Sequence, residues 1–345
     1  MSTPGTHVWR GRALRFGIGA AAIGATTLAG IIRNKWFALQ LDTDGIGVIG
    51  QVVTTHTWLG VFAALGIATA LARQVASAVG ANDAEQVRRC VWTAFAMSAM
   101  ACVAVAGLGL ALAPQIATVV LGDAAFATLV RISMMGAVGY AVNSIVQGLF
   151  SGYSDVRPPL TLAIAGGAAS VAAAFLLVPG AGLSGGVLSA AIYFPAGVLA
   201  VALVHARAYR SALLPVPRPR IDPATARYML GVGAAGLSIA LADQGALLGL
   251  RAHFLREHGL GANGLFQAAL AISQQVGGPF YVYLTNYAFG LLSRTPGVDH
   301  AREYTRKIWL PIAIFAAIAF ATVMLLGGPL LRLLYSDRFD PARPM

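Results

Sequence analysis

The sequence predicts an all-helical integral membrane protein, with about nine transmembrane helices in two lobes and the second lobe incomplete. Three observations predict it. The 345-residue chain is 57% hydrophobic and only 11% charged. Soluble domains carry about 25% charge, so this chain has too little polar surface to face water. Its apolar residues fall in runs near the roughly 20 residues that span a bilayer's hydrocarbon. Finally, one stretch is written twice.

The first copy opens RFGIGAAAIG at Arg15–Gly24 and the second RYMLGVGAAG at Arg227–Gly236. About 30 residues on, GIGVIG (Gly45–Gly50) answers GLGANG (Gly259–Gly264). Each copy closes on a basic pair and a tryptophan, Arg88-Arg89 with Trp92 and Arg306-Lys307 with Trp309. Several matches in one order indicate a two-fold internal repeat, and a repeat of this size points to a two-lobed membrane transporter.

The expected spans lie near 16–39, 47–72, 91–113, 125–150, 159–179, 186–206, 228–250, 262–291 and 308–331. The basic start (Arg10, Arg12, Arg15) resembles a signal peptide, but the long apolar run and its reuse at Arg227 favour an uncleaved first span. With the N-terminus in the cytoplasm, 16 of the 24 Lys and Arg fall on the inner side. That bias places the N-terminus inside, and nine spans then place the C-terminus outside. Arg207–Arg227 carries Pro215, Pro217, Pro219 and Pro223 among arginines, which reads as a semi-rigid cytoplasmic linker. The division expected is a six-helix lobe over 1–206, a linker over 207–226 and a partial, three-helix lobe over 227–345. PQIATVVLGDAAF (Pro114–Phe126) matches PLLRLLYSDRF (Pro329–Phe339). A complete repeat would continue for roughly 80 residues and three spans beyond that point, so the chain reads as either a fragment or a short form.

RNKWFALQLDTDGIGVIGQ (Arg33–Gln51), LGIATALARQVASA (Leu65–Ala78) and LLYSDRFDPA (Leu333–Ala342) carry a family resemblance. The chain resembles bacterial polysaccharide (O-antigen and exopolysaccharide) flippases of the multidrug/oligosaccharidyl-lipid/polysaccharide exporter superfamily. The resemblance implies a two-lobe MATE/flippase-like fold around a central cavity, with alternating access by rocking of the lobes. It implies transport of a polyprenyl-diphosphate-linked oligosaccharide across the bacterial inner (plasma) membrane, as in lipopolysaccharide synthesis. Partners implied are the lipid-linked oligosaccharide, membrane lipids and polysaccharide polymerase or assembly proteins. The family usually has twelve to fourteen spans, more than are counted here.

Candidate path residues are polar groups inside apolar runs, where they face a cavity or a partner. Asp243 lies 16 residues past Arg227 in the seventh span, within reach of Arg33 or Arg251 as an ion pair or as an ion-coupling carboxylate. Arg33, Lys35 and Arg131 suit a diphosphate, since the guanidinium fork matches phosphate oxygens. Their plainer role is snorkelling to headgroups. Asn143 and Gln147 sit four apart on one helix, and Gln274, Gln275 and Asn286 mark the eighth span. Amides suit sugar hydroxyls, and they also join helices. His56, in the second span, is a candidate proton carrier, against the commoner case of a polar group packed between helices. Pro195 and Pro311 interrupt the sixth and ninth spans.

Other chemistries are disfavoured. GIGVIG fits a dinucleotide string but lies between apolar spans rather than in a βαβ unit, so its glycines are read as turn and packing devices. Cys90 and Cys102 share one expected helix and offer neither a disulfide framework nor a metal cluster. No Walker A, H-E-x-x-H or G-x-S-x-G string is present. The chain is therefore expected to be no enzyme, to need no cofactor or metal, and to bind no nucleic acid. The rival functions are a drug/cation antiporter of the same superfamily and a non-transporting scaffold of a glycan-assembly complex.

Overall fold

The computed structural model describes residues 4–209, 221–283 and part of 309–339, with side chains described for 17–209, 221–274 and part of the last stretch. The described residues are helical throughout, without a strand. In chain order the helices are α1 (Pro4–Gln40), α2 (Asp42–Ala64), α3 (Ala68–Gly80), α4 (Ala84–Ala111) and α5 (Ala113–Leu121). A short 3-10 turn, Ala124–Phe126, leads into α6 (Ala127–Gly152), α7 (Arg157–His205) and α8 (Pro223–Tyr283). Further helical residues occur between 309 and 334.

Among the described residues, five helices are long and apolar enough to cross a membrane: α2, α4, Ala124–Gly152, α7 and Pro223–Gln274 of α8. Two of these are double. α7 has 49 residues, about 70 Å of helix at 1.5 Å per residue, or roughly twice the hydrocarbon thickness. It is broken at Gly182 (φ 53), and its two parts match the expected fifth and sixth spans. α8 is broken at Gly259 (φ 84), and its parts match the seventh and eighth. Positive φ is ordinary only for glycine, so both breaks sit where a residue without Cβ allows them. The chain is an integral membrane protein.

Span boundaries differ in two places. The expected second span, 47–72, is not one helix. Leu65 and Gly66 both take positive φ, ending α2 at Ala64, and α3 starts a separate helix. α3 buries Ala70, Leu71, Val75 and Ala78 on one face, the last three at the i, i+4, i+7 spacing of an amphipathic helix. The seventh span was expected to end at 250, but α8 continues as helix to the break at Gly259, so Arg251 lies inside it.

Polar residues close the helix ends. Asp83 accepts the Gln86 N–H at 2.9 Å to cap α4, and Asp222 accepts the Thr225 N–H at 2.9 Å to cap α8. Asp155 accepts the Arg157 N–H at 3.0 Å before Pro158 and Pro159 start α7. Gly122 (φ 80) ends α5 in the left-handed conformation.

In lipid, helices associate by close packing rather than by hydrophobic burial, which favours small residues at contacts. The two repeated glycine strings meet each other here. A methyl on Gly47 would lie 2.9 Å from the Gly264 nitrogen, and one on Gly264 would collide with the Thr43 carbonyl oxygen. Further along, a methyl on Gly66 would crowd the Gly233 carbonyl. α2 thus packs along α8 backbone to backbone. Pro195 interrupts α7 as expected and fits the surface of α6 left open by Gly139, where a methyl would be 2.6 Å from its ring. Pro311 lies outside the described residues. Cys90 and Cys102 are both on α4, buried and free.

The largest core joins Phe37 and Ala38 of α1, Val48 and Val52 of α2, α5, α6 and α7 to Ala268, Ala271 and Ile272 of α8. Tyr335 and Phe339 belong to the same core as Ala113 and Ala117 of α5. Described residues of the two segments matched by sequence therefore belong to one hydrophobic core.

Candidate functional site

Arg33 is held where α1 meets α7. Its guanidinium donates to Ser170 Oγ at 2.8 Å, and Ser170 Oγ donates to the Ser189 carbonyl at 2.7 Å. It lies 5.9 Å from the Phe37 ring centroid, a cation–π distance. Trp36 fixes the helix pair by donating to the Ala174 carbonyl at 3.1 Å and stacking on Phe175 at 4.4 Å. Arg33 Nε is buried without a partner among the described residues.

Two cavities open on Arg33. The first, about 300 Å³, lies among α1, α2 and the second part of α8, with Arg33, Asn34, Gly50, Gln267 and Gln274 on its wall. The second, about 230 Å³, lies among α1, α2 and α7 and adds His56, Thr57, Ser170 and Tyr193. Neither wall contains an aspartate or glutamate among the described residues.

A second arginine stands behind the first cavity. Arg251 is only 1% exposed. It donates to the Gly50 carbonyl at 3.1 Å, Thr54 Oγ1 at 3.0 Å, Gln267 Oε1 at 2.5 Å and Asn263 Oδ1 at 3.4 Å. All four acceptors are neutral, and Arg251 Nη2 has no partner among the described residues. That nitrogen occupies the space a side chain at position 50 would fill, 2.5 Å from a Cβ built there. Arginine only donates, so it fixes the Gln267 oxygen toward itself and leaves the amide NH2 free to donate elsewhere. Asn263 follows the same logic, its NH2 donating to the Gly47 carbonyl at 3.1 Å. The first cavity therefore combines Arg33, the Gln267 donor face and the field of Arg251. Such a wall suits an anion or a hydroxyl-rich group.

The sequence-nominated residues separate. Arg33 lines both cavities, Gln274 the first and His56 the second. Lys35 points the other way, donating to the carbonyls of Arg332 and Tyr335, where a cation meets a helix C-terminus. Arg131 is exposed on α6 and lines neither cavity. Asn143 is buried with its Oδ1 unpartnered among the described residues, whereas Gln147 one turn on is exposed. Asp243 is exposed and accepts from Gln244 Nε2 at 2.8 Å. It makes no pair with Arg33 or Arg251, whose guanidinium faces α2 instead. The Gln275 side chain and all of Asn286 lie outside the described residues.

Arg251, Asn263 and Gln267 were missed as site residues, Arg251 having been counted at a span end. One signal was available. Gln267, Ala271 and Gln274 follow i, i+4, i+7 spacing, a single helix face, and all three line the first cavity.

A family model described as MatE matches residues 26–176. The chain resembles an inward-facing multidrug resistance MATE family transporter of the MOP superfamily (TM-score 0.71, 15% identity, covering 92% of this chain and 74% of that one). It also resembles the outward-facing conformation of such a transporter (TM-score 0.66, 17% identity, 99% and 80%). The fold is that of the MATE transporters. The MATE fold is also seen in a MOP superfamily transporter from Pyrococcus furiosus Vc1 whose binding pocket is described as having reverse polarity (TM-score 0.59, 16% identity, 93% and 77%). Among curated proteins, the chain is 25% identical over 324 residues to the Lipid III flippase of Escherichia coli, covering 92% of this chain and 76% of that one. The Lipid III flippase of Shigella flexneri matches to the same extent.

Proposed function

We propose that this protein translocates polyprenyl-diphosphate-linked oligosaccharide units across the bacterial inner membrane during polysaccharide synthesis, by alternating access within the MATE fold. The observation that carries the reading is the cavity with Arg33 on its wall, Arg251 behind it and no carboxylate among its described residues. A diphosphate is the part of such a substrate that a donor-lined wall selects, because charge-assisted hydrogen bonds to phosphate are the strong ones. Amides at Gln267 and Gln274 suit the sugar hydroxyls. The likeness to Lipid III flippases supports a lipid-linked substrate.

The reading keeps the N-terminus cytoplasmic and two lobes, 1–206 and 227–345, joined by the linker 207–226. Substrate enters from the cytoplasmic leaflet, and the lobes rock about the α2–α8 contact. O-antigen or exopolysaccharide units are the expected cargo, and polymerase or assembly proteins the expected partners. The test is a deletion strain. Lipid-linked units should accumulate on the cytoplasmic side, and a plasmid copy should restore export while Arg33→Gln does not. Normal flipping in the deletion strain overturns the proposal.

A drug/cation antiporter is the second reading, favoured by the likeness to multidrug resistance transporters. It requires a carboxylate, and Asp243 is the candidate carboxylate in a span. Cation efflux that is lost in Asp243→Asn, with Arg33→Gln unimpaired, would establish it in place of the flippase.

A further inference from the structure

His56 is 2% exposed in the middle of α2. Its Nδ1 is buried and has no hydrogen-bond partner among the described residues. α6 meets the ring with Gly136, where a methyl would lie 2.9 Å from Nδ1. A glycine there accommodates the ring without offering an acceptor. A structural histidine normally fixes its tautomer through such a bond. This one instead lines the 230 Å³ cavity that Arg33 also lines, a space large enough for several waters.

The charges around the ring are of one sign. From α1 it faces Arg33, from α7 the neutral Tyr193, and from α6 Gly136. On α2 itself Thr57 shares the cavity wall. From α8, Arg251 bonds Thr54, two positions before the histidine. None of these described groups is a carboxylate. In an empty cavity, a proton on His56 adds a third positive charge to two uncompensated ones.

We propose that His56 takes up a proton when an anion occupies the Arg33 cavity, so that diphosphate binding and protonation are coupled. This rests on the flippase reading and adds a proton-linked step to anion binding at that site. An anion on Arg33 offsets that charge and removes the repulsion opposing the imidazolium. By linkage, a proton on His56 tightens anion binding by the same factor.

The test uses the purified full-length protein in detergent with farnesyl diphosphate as probe. Wild type should bind about tenfold more tightly at pH 5.5 than at pH 7.5, beyond the change seen in His56→Gln. The variant carries the ligand's own titration, so the difference isolates the histidine. Calorimetry of wild type in two buffers of unlike ionisation enthalpy gives an independent count of protons taken up and does not depend on how the variant folds. A pH slope identical in wild type and His56→Gln, or no proton uptake beyond the ligand's own, overturns the coupling and leaves the flippase reading standing. No binding to wild type at either pH overturns both.

Discussion

Arg251 donates to the Gly50 carbonyl oxygen at 3.1 Å across 201 positions of sequence. The glycine belongs to the first copy of the repeat and the arginine to the second. The contact depends on both identities, because the guanidinium lies where a Cβ at position 50 would lie.

A buried cation with only neutral acceptors is held at a cost in stability. Replacing it with a similar-sized apolar side chain removes that cost but leaves Gln267 Oε1 and Asn263 Oδ1 without their donor, at about 1–3 kcal/mol each. Arg251→Met should therefore melt below the wild-type temperature in detergent. Translocation should fall on the order of tenfold or more, since Gln267 loses its fixed orientation and the cavity loses a charge. A variant that melts earlier and transports normally would make Arg251 a structural brace only.

The crossing of Gly47 and Gly264 gives a paired prediction. Gly264→Ala should cost about 1–3 kcal/mol, because the methyl meets the Thr43 backbone rather than a movable side chain. Gly249→Ala, on the same helix with nothing within 4 Å, should stabilise by about 0.4–1 kcal/mol. Thermal melts of the two variants should move in opposite directions.

Asp155, between α6 and α7, gives a pH prediction. Burial by itself raises its pKa. Hydrogen bonds from Tyr209 Oη at 2.5 Å and the Arg157 N–H, together with the charges of Arg157 and His205, hold it below the ordinary 3.8. A carboxylate depressed on folding adds stability above its unfolded pKa, and that stability is lost as pH falls through the folded value. Wild type should lose its advantage over Asp155→Asn as the medium is acidified below about 3.8. The melting-temperature gap between the two, followed from pH 7 to pH 3, should be widest at neutral pH and should close in acid.

Asp222 caps α8 and offers its own N–H to Thr93 Oγ1 of α4 at 3.2 Å. Asp222→Ala should lower stability by about 1 kcal/mol, and Asp222→Asn by less, since asparagine caps nearly as well. Equal melting losses in both variants would point to charge rather than capping.

Much of the fold was legible because span length and glycine placement are local properties. The first and the third to seventh expected spans lie on described helices, and the two repeated glycine strings pack on each other. The break at Leu65 and Gly66 was not legible, since an apolar run continues through it and nothing in hydropathy marks a leucine with positive φ. The site was legible only in part. Arg33 and His56 stood out as polar groups within apolar runs. Asp243 stood out equally, yet it is exposed and lines neither cavity, because helical rotation and not depth decides what a side chain meets. Arg251 was hidden at a span end, and its role depends on a helix two hundred residues earlier.

That separation bears on how the protein is built. Inserted alone, the segment carrying Arg251 would bring a charge into lipid at roughly 2.5–3.5 kcal/mol. Its acceptors at Gly50 and Thr54 sit on a helix synthesised long before. Membrane integration of the later segment is thus favoured by docking onto the earlier one while still close to the insertion machinery, and the order of synthesis becomes part of the folding pathway.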